Sequence, residues 1–169
     1  MVVRRTRDRD EEFKAFYFAE AGRLRRLALL MVGDPDPAED LVHDALVRTY
    51  KAWNRIKNDD PGPYVRAALV NRCRNHLRKR GMERRHPPEP VFDTPDASPS
   101  VLEAMRVADA LAVLSPIRRA VVLLRFYEDL PEAQIAQMLD RPLNTIKSDL
   151  RRALDQLRPV LNDEVREKA

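Results

Sequence analysis

Apolar residues recur every three or four positions along most of this chain, which is the spacing of one face of an α-helix. Between residues 12 and 31 the apolar positions of this face are Phe13, Phe16, Tyr17, Leu24, Leu27 and Met31. The breakers in Gly33-Asp34-Pro35 follow at once. The pattern therefore predicts an amphipathic helix over residues 12–31.

A second helix is predicted to begin at Asp36, because Pro37 suits the first helical position and Asp36 with Glu39 resembles a capping box. Its inward stripe is Ala38, Leu41, Val42, Ala45, Leu46, Thr49, Trp53 and Ile56. A cluster of breakers at residues 58–63 separates it from a third helix, predicted over residues 64–81. Together these helices predict a first domain, residues 1–86.

Residues 87–100 contain five prolines and three acidic residues but few large apolar side chains. Such a segment cannot pack a core, so we expect an extended, flexible linker rich in proline and aspartate.

A second domain follows at residues 101–169. Its caps and apolar spacing predict four helices, over residues 100–114, 115–127, 131–139 and 144–157, and then a short charged tail from residue 162. The predicted fold is all-α, with two small helical domains.

Composition supports this fold and narrows the function. Glycine is scarce, at four residues, and helix formers dominate. No apolar run approaches the roughly 18 to 20 residues of a membrane span, and the N-terminus is charged, so we expect a cytoplasmic protein without membrane insertion. Cys73 is the only cysteine and the three histidines are scattered, which predicts neither a metal site nor a cofactor. A Gly-rich phosphate loop and a nucleophile–base pair are both lacking, so we expect no enzyme and no small-molecule substrate.

Positive charge is concentrated in residues 48–86, where twelve lysines and arginines face three acidic residues, a net charge of +9. A local field of this strength suits a polyanion such as nucleic acid. A solvated helix face is the alternative that charge alone leaves open.

The last two predicted helices have the pattern of a helix-turn-helix motif. Their shared core is predicted to contain Ile135, Ala136, Leu139, Ile146 and Leu150, with the small Ala136 at the point of closest approach. Asp140 can adopt the left-handed conformation usually given to glycine, and Arg141 before Pro142 is biased out of helix. The second helix of such a motif enters the DNA major groove. A generic helical hairpin with a charged exterior is the alternative.

Three stretches, in this order, resemble the extracytoplasmic-function (ECF) group of bacterial RNA polymerase sigma factors over nearly the whole chain. The stretch from Asp36-Pro37-Ala38-Glu39-Asp40-Leu41 to Trp53 is similar to the helix of sigma domain 2 that docks on core polymerase. Residues 64–80 resemble the helix that melts and reads the minus-10 promoter element. The helix-turn-helix resembles sigma domain 4, which reads the minus-35 element. The resemblance implies a transcription initiation factor whose partners are core RNA polymerase and promoter DNA, and it makes an anti-sigma factor a further candidate partner.

The resemblance also implies roles for individual residues. Core-polymerase binding falls to Asp40, Leu41, Asp44, Lys51 and Trp53. Minus-10 DNA binding falls to Tyr64, Arg66, Asn71, Arg72, Arg74, Arg78, Lys79 and Arg80, with Asn71 near the pocket for an extruded base. Minus-35 DNA binding falls to Thr145, Lys147, Ser148, Arg151 and Arg152.

For some residues a structural role is the alternative. Trp53 suits core packing as well as docking, Tyr64 suits packing at a helix start as well as stacking beside melted DNA, and Cys73 is expected to be a small buried apolar residue. The sequence departs from the family pattern at His43, where glutamine is common, and at Asn144, where glycine is typical.

Asp149, where the family usually has arginine, is a further departure; it would repel phosphate or accept a hydrogen bond from cytosine.

The competing function is a stand-alone helix-turn-helix repressor or activator, which would bind duplex operators without polymerase, usually as a dimer.

Overall fold

The computed structural model describes residues 2–83 and 98–167, and the side chains of residues 8–82 and 98–160. These residues form seven helices and one 3₁₀ turn without any strand, which confirms the all-helical prediction. The elements are α1 (Val2–Val32), α2 (Pro35–Ile56), α3 (Pro61–Glu83), α4 (Pro99–Ala110), a 3₁₀ turn (Leu111–Val113), α5 (Pro116–Phe126), α6 (Glu132–Met138) and α7 (Leu143–Glu167). Most of the predicted linker lies outside the described residues.

The break between α1 and α2 lies where the sequence predicts it, but the cap differs. Gly33 has a φ of +77° and donates its N–H to the carbonyl of Leu29 at 2.8 Å, which closes α1. Asp34, not Asp36, is the N-cap of α2, and its side chain accepts a hydrogen bond of 3.2 Å from the N–H of Asp36. Pro35 is therefore the proline at the helix start.

Helix α1 begins about ten residues before the predicted start because polar side chains tie its first half to α2. The Tyr50 hydroxyl donates to Asp10 at 2.6 Å, and the guanidinium of Arg9 lies 4.3 Å from the centre of the Tyr50 ring. Lys57 pairs with Glu12 at 2.7 Å. Apolar periodicity does not detect contacts of this kind.

Helix α7 is also longer than predicted, since it continues through Pro159 to Glu167 and includes most of the predicted charged tail. The start of α4 differs as well: Ser98 is its N-cap and Pro99 its first residue, so the helix begins inside the segment assigned to the linker. No helix in residues 2–83 and 98–167 combines the length and the apolar character that a membrane crossing requires.

The two predicted domains pack directly on each other. Helices α1, α2 and α3 form the first bundle, α4 to α7 form the second, and α1 and α3 contact α4 and α5. One hydrophobic core runs through both bundles. The bundles are in close contact where Gly33 faces the buried Ala108, because a Cβ built on Gly33 would lie 3.5 Å from the Ala108 Cβ. The sequence predicts two domains, but it does not predict this shared interface.

Candidate nucleic-acid interface

The helix-turn-helix is formed by α6 and α7, and its turn has the geometry that the sequence predicts. Asp140 has a φ of +50°. The N–H of Arg141 donates to the Ala136 carbonyl at 2.9 Å, and the N–H of Asp140 to the Gln137 carbonyl at 3.3 Å, so α6 ends in a Schellman motif with aspartate in the left-handed position. Ile135, Ala136, Leu139, Ile146 and Leu150 are all buried in the core.

The outward face of α7 carries the five residues predicted for minus-35 DNA. Lys147, Arg151 and Arg152 are exposed, whereas Thr145 and Ser148 are half-buried. The Ser148 hydroxyl donates to the Thr145 carbonyl at 3.0 Å. Three cations therefore lie within the first three turns of this helix, where they can reach a nucleic-acid groove or its phosphates.

Asp149 does not belong to this outward face. It is 7% exposed, and its carboxylate lies 3.4 Å from Arg141 of the turn and 3.5 Å from Arg118 of α5. Both expectations for it, repulsion of phosphate and recognition of cytosine, are wrong for this geometry, because the carboxylate is turned inward and compensated by two cations. Asp149 instead ties α7 to the turn and to α5.

A second cationic surface runs along α3. Arg78 and Lys79 are exposed, and Arg80 is half-buried with its guanidinium 4.0 Å from Asp34. The exposed Asn71 accepts a hydrogen bond of 3.1 Å from Arg74. Burial, and next the positive charges of Arg141 and Arg78, lower the pKa of Arg74. This surface thus gathers most of the residues predicted for minus-10 DNA.

Two arginines predicted for that surface are engaged within the protein. Arg72 forms an ion pair of 2.7 Å with Asp44 of α2. Arg66 is directed between the domains, where its Nε lies 3.5 Å from Glu128 and its Nη1 3.8 Å from Glu20. Its side chain is 11% exposed, so Arg66 is not available to DNA in this arrangement.

Two helical regions thus present cationic faces, one on a helix-turn-helix and one on α3. The sigma-70 region 2 model matches residues 5–82, and the sigma-70 region 4 model matches residues 104–157. Together these two matches cover well over half of the chain. The chain belongs to the sigma-70 family.

Relatives place it beside the ECF sigma factors. It is 34% identical over 153 residues to the RNA polymerase sigma-E factor of Streptomyces coelicolor, which covers 89% of this chain and 86% of that protein. It is also 34% identical over 161 residues to the ECF RNA polymerase sigma factor SigL of Mycobacterium tuberculosis, with 89% of each covered. The fold is similar to that of the sigma factor RpoE in its complex with the anti-sigma factor NepR from Bartonella quintana, with a TM-score of 0.71, 23% identity and 90% and 98% of the two chains covered.

In this sigma-70 family protein, the residues predicted for polymerase docking separate into a surface set and a core residue. Asp40, Asp44 and Lys51 are exposed on α2 at spacings that place them near one helix face, and Leu41 is half-buried beside them. Trp53 is only 4% exposed and packs edge-on against Phe13, with ring centroids 5.1 Å apart. The structure therefore places Trp53 in the core and not on the docking surface.

Sequence reasoning missed two cations beside the α3 surface. Arg48 and Arg55 line an open concavity of about 400 Å³ together with Lys51 and Tyr64. Tyr64 is 36% exposed there, so its ring is neither fully packed nor fully free. The spacing of Arg48, Lys51 and Arg55 by three and four residues was the available signal, since it puts three cations on one face of α2.

Cys73 is fully buried, as expected, and burial raises the pKa of its thiol to about 12.

Proposed function

We propose that this protein is a promoter-specificity subunit that binds core RNA polymerase, recognises the minus-35 and minus-10 elements and promotes DNA opening in the cytoplasm. The observation that carries the proposal is the joint presence of sigma-70 regions 2 and 4 with a cationic helix face in each. In the proposed division of labour, residues 1–86 dock on polymerase and engage the minus-10 element, and residues 101–169 read the minus-35 element.

For the minus-35 element, α7 supplies both kinds of contact that a groove-binding helix uses. Lys147 and Arg151 are exposed one turn apart near the helix start, where side chains of a recognition helix reach base edges. Arg152 is exposed beside them and suits a phosphate. The half-buried Thr145 and Ser148 complete the proposed surface.

For the minus-10 element, α3 combines charge with one uncharged polar group. Arg78 and Lys79 are suited to neutralise phosphates, which drives binding through counterion release and does not depend on sequence. Asn71 is exposed and its amide can both donate and accept, as recognition of an extruded base requires. Arg48, Arg55 and Tyr64 extend this surface towards the end of α2.

Polymerase docking is proposed for the exposed face of α2. Asp40 and Lys51 are solvent-facing charges with no ion pair among the described side chains. Asp44 forms an ion pair with Arg72 of the α3 surface. The Asp44–Arg72 pair joins the docking face to the DNA face, so binding at one is expected to position the other. We infer that the protein opens DNA through binding alone, without catalysing a reaction. Holding a base outside the stack costs a few kcal/mol, and binding contacts can supply that free energy.

Transcription by purified core polymerase tests this function. We expect transcripts from a cognate promoter only when the protein is added, and loss of that activity in the triple charge reversal Asp40→Lys, Asp44→Lys and Lys51→Glu. Circular dichroism of the variant confirms that it folds, and reversal of the exposed charges Asp155 and Arg158 is the matched control.

The competing function makes the opposite prediction. A stand-alone repressor or activator would bind duplex operators with high affinity in the absence of polymerase, and it would not bind core polymerase in a pull-down.

A further inference from the structure

The carboxylate of Asp149 is enclosed, but the two arginines that pair with it reach solvent. The Asp149 side chain is 10% exposed, whereas those of Arg118 and Arg141 are 25% and 35% exposed. Arg118 lies in the first turn of α5, and Arg141 lies in the turn between α6 and α7. Three elements thus meet at one carboxylate, with the anion inside and the two cations outside.

Both arginines keep hydrogen-bond donors for a further partner. The Nη1 of Arg141 lies 3.4 Å from one carboxylate oxygen of Asp149, and the Nε of Arg118 lies 3.5 Å from the other. These distances exceed the roughly 2.7 to 2.9 Å of a strong charge-assisted hydrogen bond. Arg118 also donates from Nη1 to Gln156 at 3.1 Å. Since a guanidinium has five N–H donors, each arginine can hold Asp149 and a second anion together.

The cluster lies along the side of α7 that carries other residues of the proposed minus-35 surface. Thr145 precedes Asp149 by four residues and Arg152 follows it by three, so the helical period puts all three on one side of α7. Arg118 and Arg141 are attached to the same side through Asp149. This side of α7, called the α7 edge below, therefore contains three cations and one carboxylate.

An edge of this composition suits the DNA backbone better than the bases. A helix about 10 to 12 Å across fills a major groove about 12 Å wide, so its flanks lie next to the phosphates of the two strands. Phosphate and sugar oxygens accept roughly half to two-thirds of the hydrogen bonds in protein–DNA complexes. The planar guanidinium fork matches the geometry of a phosphate. Cations on the α7 edge therefore have a backbone phosphate as their expected acceptor.

We propose that Arg118 and Arg141 form a phosphate clamp beside α7, and that Asp149 is a positioning residue that holds both guanidinium groups in place. The clamp binds the backbone of one strand next to the minus-35 element, so the proposal rests on the proposed function of α7. Neither arginine is among the cations that the sequence assigned to DNA. Each comes from an element that precedes α7, and only the folded structure brings it to the α7 edge.

The sign of one charge effect distinguishes a positioning role from a purely electrostatic one. Asp149 is an anion close to the proposed path of a polyanion. If only its charge mattered, replacing it with asparagine would strengthen binding to every duplex. If it positions Arg118 and Arg141, the same replacement weakens binding, although the protein becomes more positive. The two roles thus predict opposite changes in affinity.

The test titrates the full-length protein with the specific minus-35 duplex and with its scrambled form at several salt concentrations. The variants are Arg118→Gln, Arg141→Gln, Asp149→Asn and the triple combination of these changes, together with the double arginine variant. The control is Asp155→Asn, which removes the same charge from the exposed side of the same helix. Circular dichroism identifies a temperature at which every variant is folded.

We expect Arg118→Gln and Arg141→Gln each to weaken binding to both duplexes at least about threefold and to reduce the salt dependence by about one phosphate contact. Asp149→Asn should also weaken binding to both duplexes at least about threefold, whereas Asp155→Asn should bind at least as tightly as the wild type. When both arginines are already absent, adding Asp149→Asn should no longer weaken binding, because the carboxylate has nothing left to position.

An Asp149→Asn variant that binds as tightly as the wild type, or more tightly, would overturn the positioning role, as would a loss that persists without the two arginines. Arginine variants with unchanged affinity and salt dependence would overturn the clamp.

The preference of the wild type for the specific duplex tests the proposed function separately. A wild type that binds both duplexes alike would contradict minus-35 reading, while the expected losses in the variants would still support the clamp. A wild type that binds neither duplex would overturn both.

Discussion

Arg119 donates one hydrogen bond to the main-chain oxygen of Met31 at 2.6 Å and another to that of Leu111 at 3.1 Å. The first acceptor lies in the last turn of α1 and the second in the 3₁₀ turn after α4, so one guanidinium joins the two helix bundles. Burial lowers the pKa of Arg119, and nearby Asp109 partly counteracts this. The residue is thus a structural cation, although a sequence rich in exposed arginine suggests a solvent-facing one.

Replacing Arg119 with methionine is expected to lower the free energy of unfolding by about 1 to 3 kcal/mol, because two buried carbonyl oxygens lose their donor. Urea denaturation followed by circular dichroism measures this. Arg125→Met is the control: Arg125 is 38% exposed in a surface ion pair with Asp129, and its loss should cost less than about 1 kcal/mol. Equal losses in the free energy of unfolding for the two variants would mean that the two Arg119 hydrogen bonds do not stabilise the protein.

Asp149→Ala should destabilise the protein by about 1 to 3 kcal/mol, since Arg141 and Arg118 lose the carboxylate between them. Any loss of affinity for minus-35 duplexes should be the same for all sequences, because the side chain does not face the groove and so reads no base. Denaturation and binding to duplexes varied one base pair at a time test both points. Asp155→Ala, on the exposed side of α7, is the matched control. A change in preference at a single base pair would restore the base-reading role.

Trp53→Ala is expected to cost about 3 to 5 kcal/mol of stability, because the indole fills the space between α1 and α2 against Phe13 and Phe16. Trp53→Phe should lose less and bind core polymerase with wild-type affinity at temperatures where it stays folded. Thermal denaturation and a polymerase pull-down separate the two effects. The exposed neighbour Asn54→Ala is the control. A folded Trp53→Phe that no longer binds polymerase would return the residue to the docking surface.

On α7, Lys147→Ala and Arg151→Ala should each weaken binding to the specific minus-35 duplex by about 1 to 3 kcal/mol where a base contact is lost. Arg152→Ala should weaken binding to all duplexes alike and reduce the salt dependence by about one counterion. Titrations of specific and scrambled duplexes at several salt concentrations distinguish these outcomes. Arg158→Ala, further along the helix and 72% exposed, is the control. Equal losses on both duplexes for all three variants would argue against base reading.

Local rules sufficed for much of this protein. The left-handed Asp140, the break at Gly33 and the burial of Ile135 and Ile146 follow from turn chemistry and helical period, which act over a few residues. The sequence alone therefore determined the helices, the helix-turn-helix and, through the resemblance, the family. It also identified the α3 and α7 cations, because exposed charge recurs at helical spacing.

Tertiary structure decided which charges face outward. Arg66 and Asp149 read as surface charges in the sequence, yet each is turned inward by partners distant along the chain, Glu128 for Arg66 and Arg118 for Asp149. The same holds for the docking of one domain on the other and for the Arg23–Glu128 pair, whose members are 105 residues apart. Helical period shows which face of a helix is apolar, but it does not show what that face will meet. Only the packing of distant helices fixes which charges are buried together.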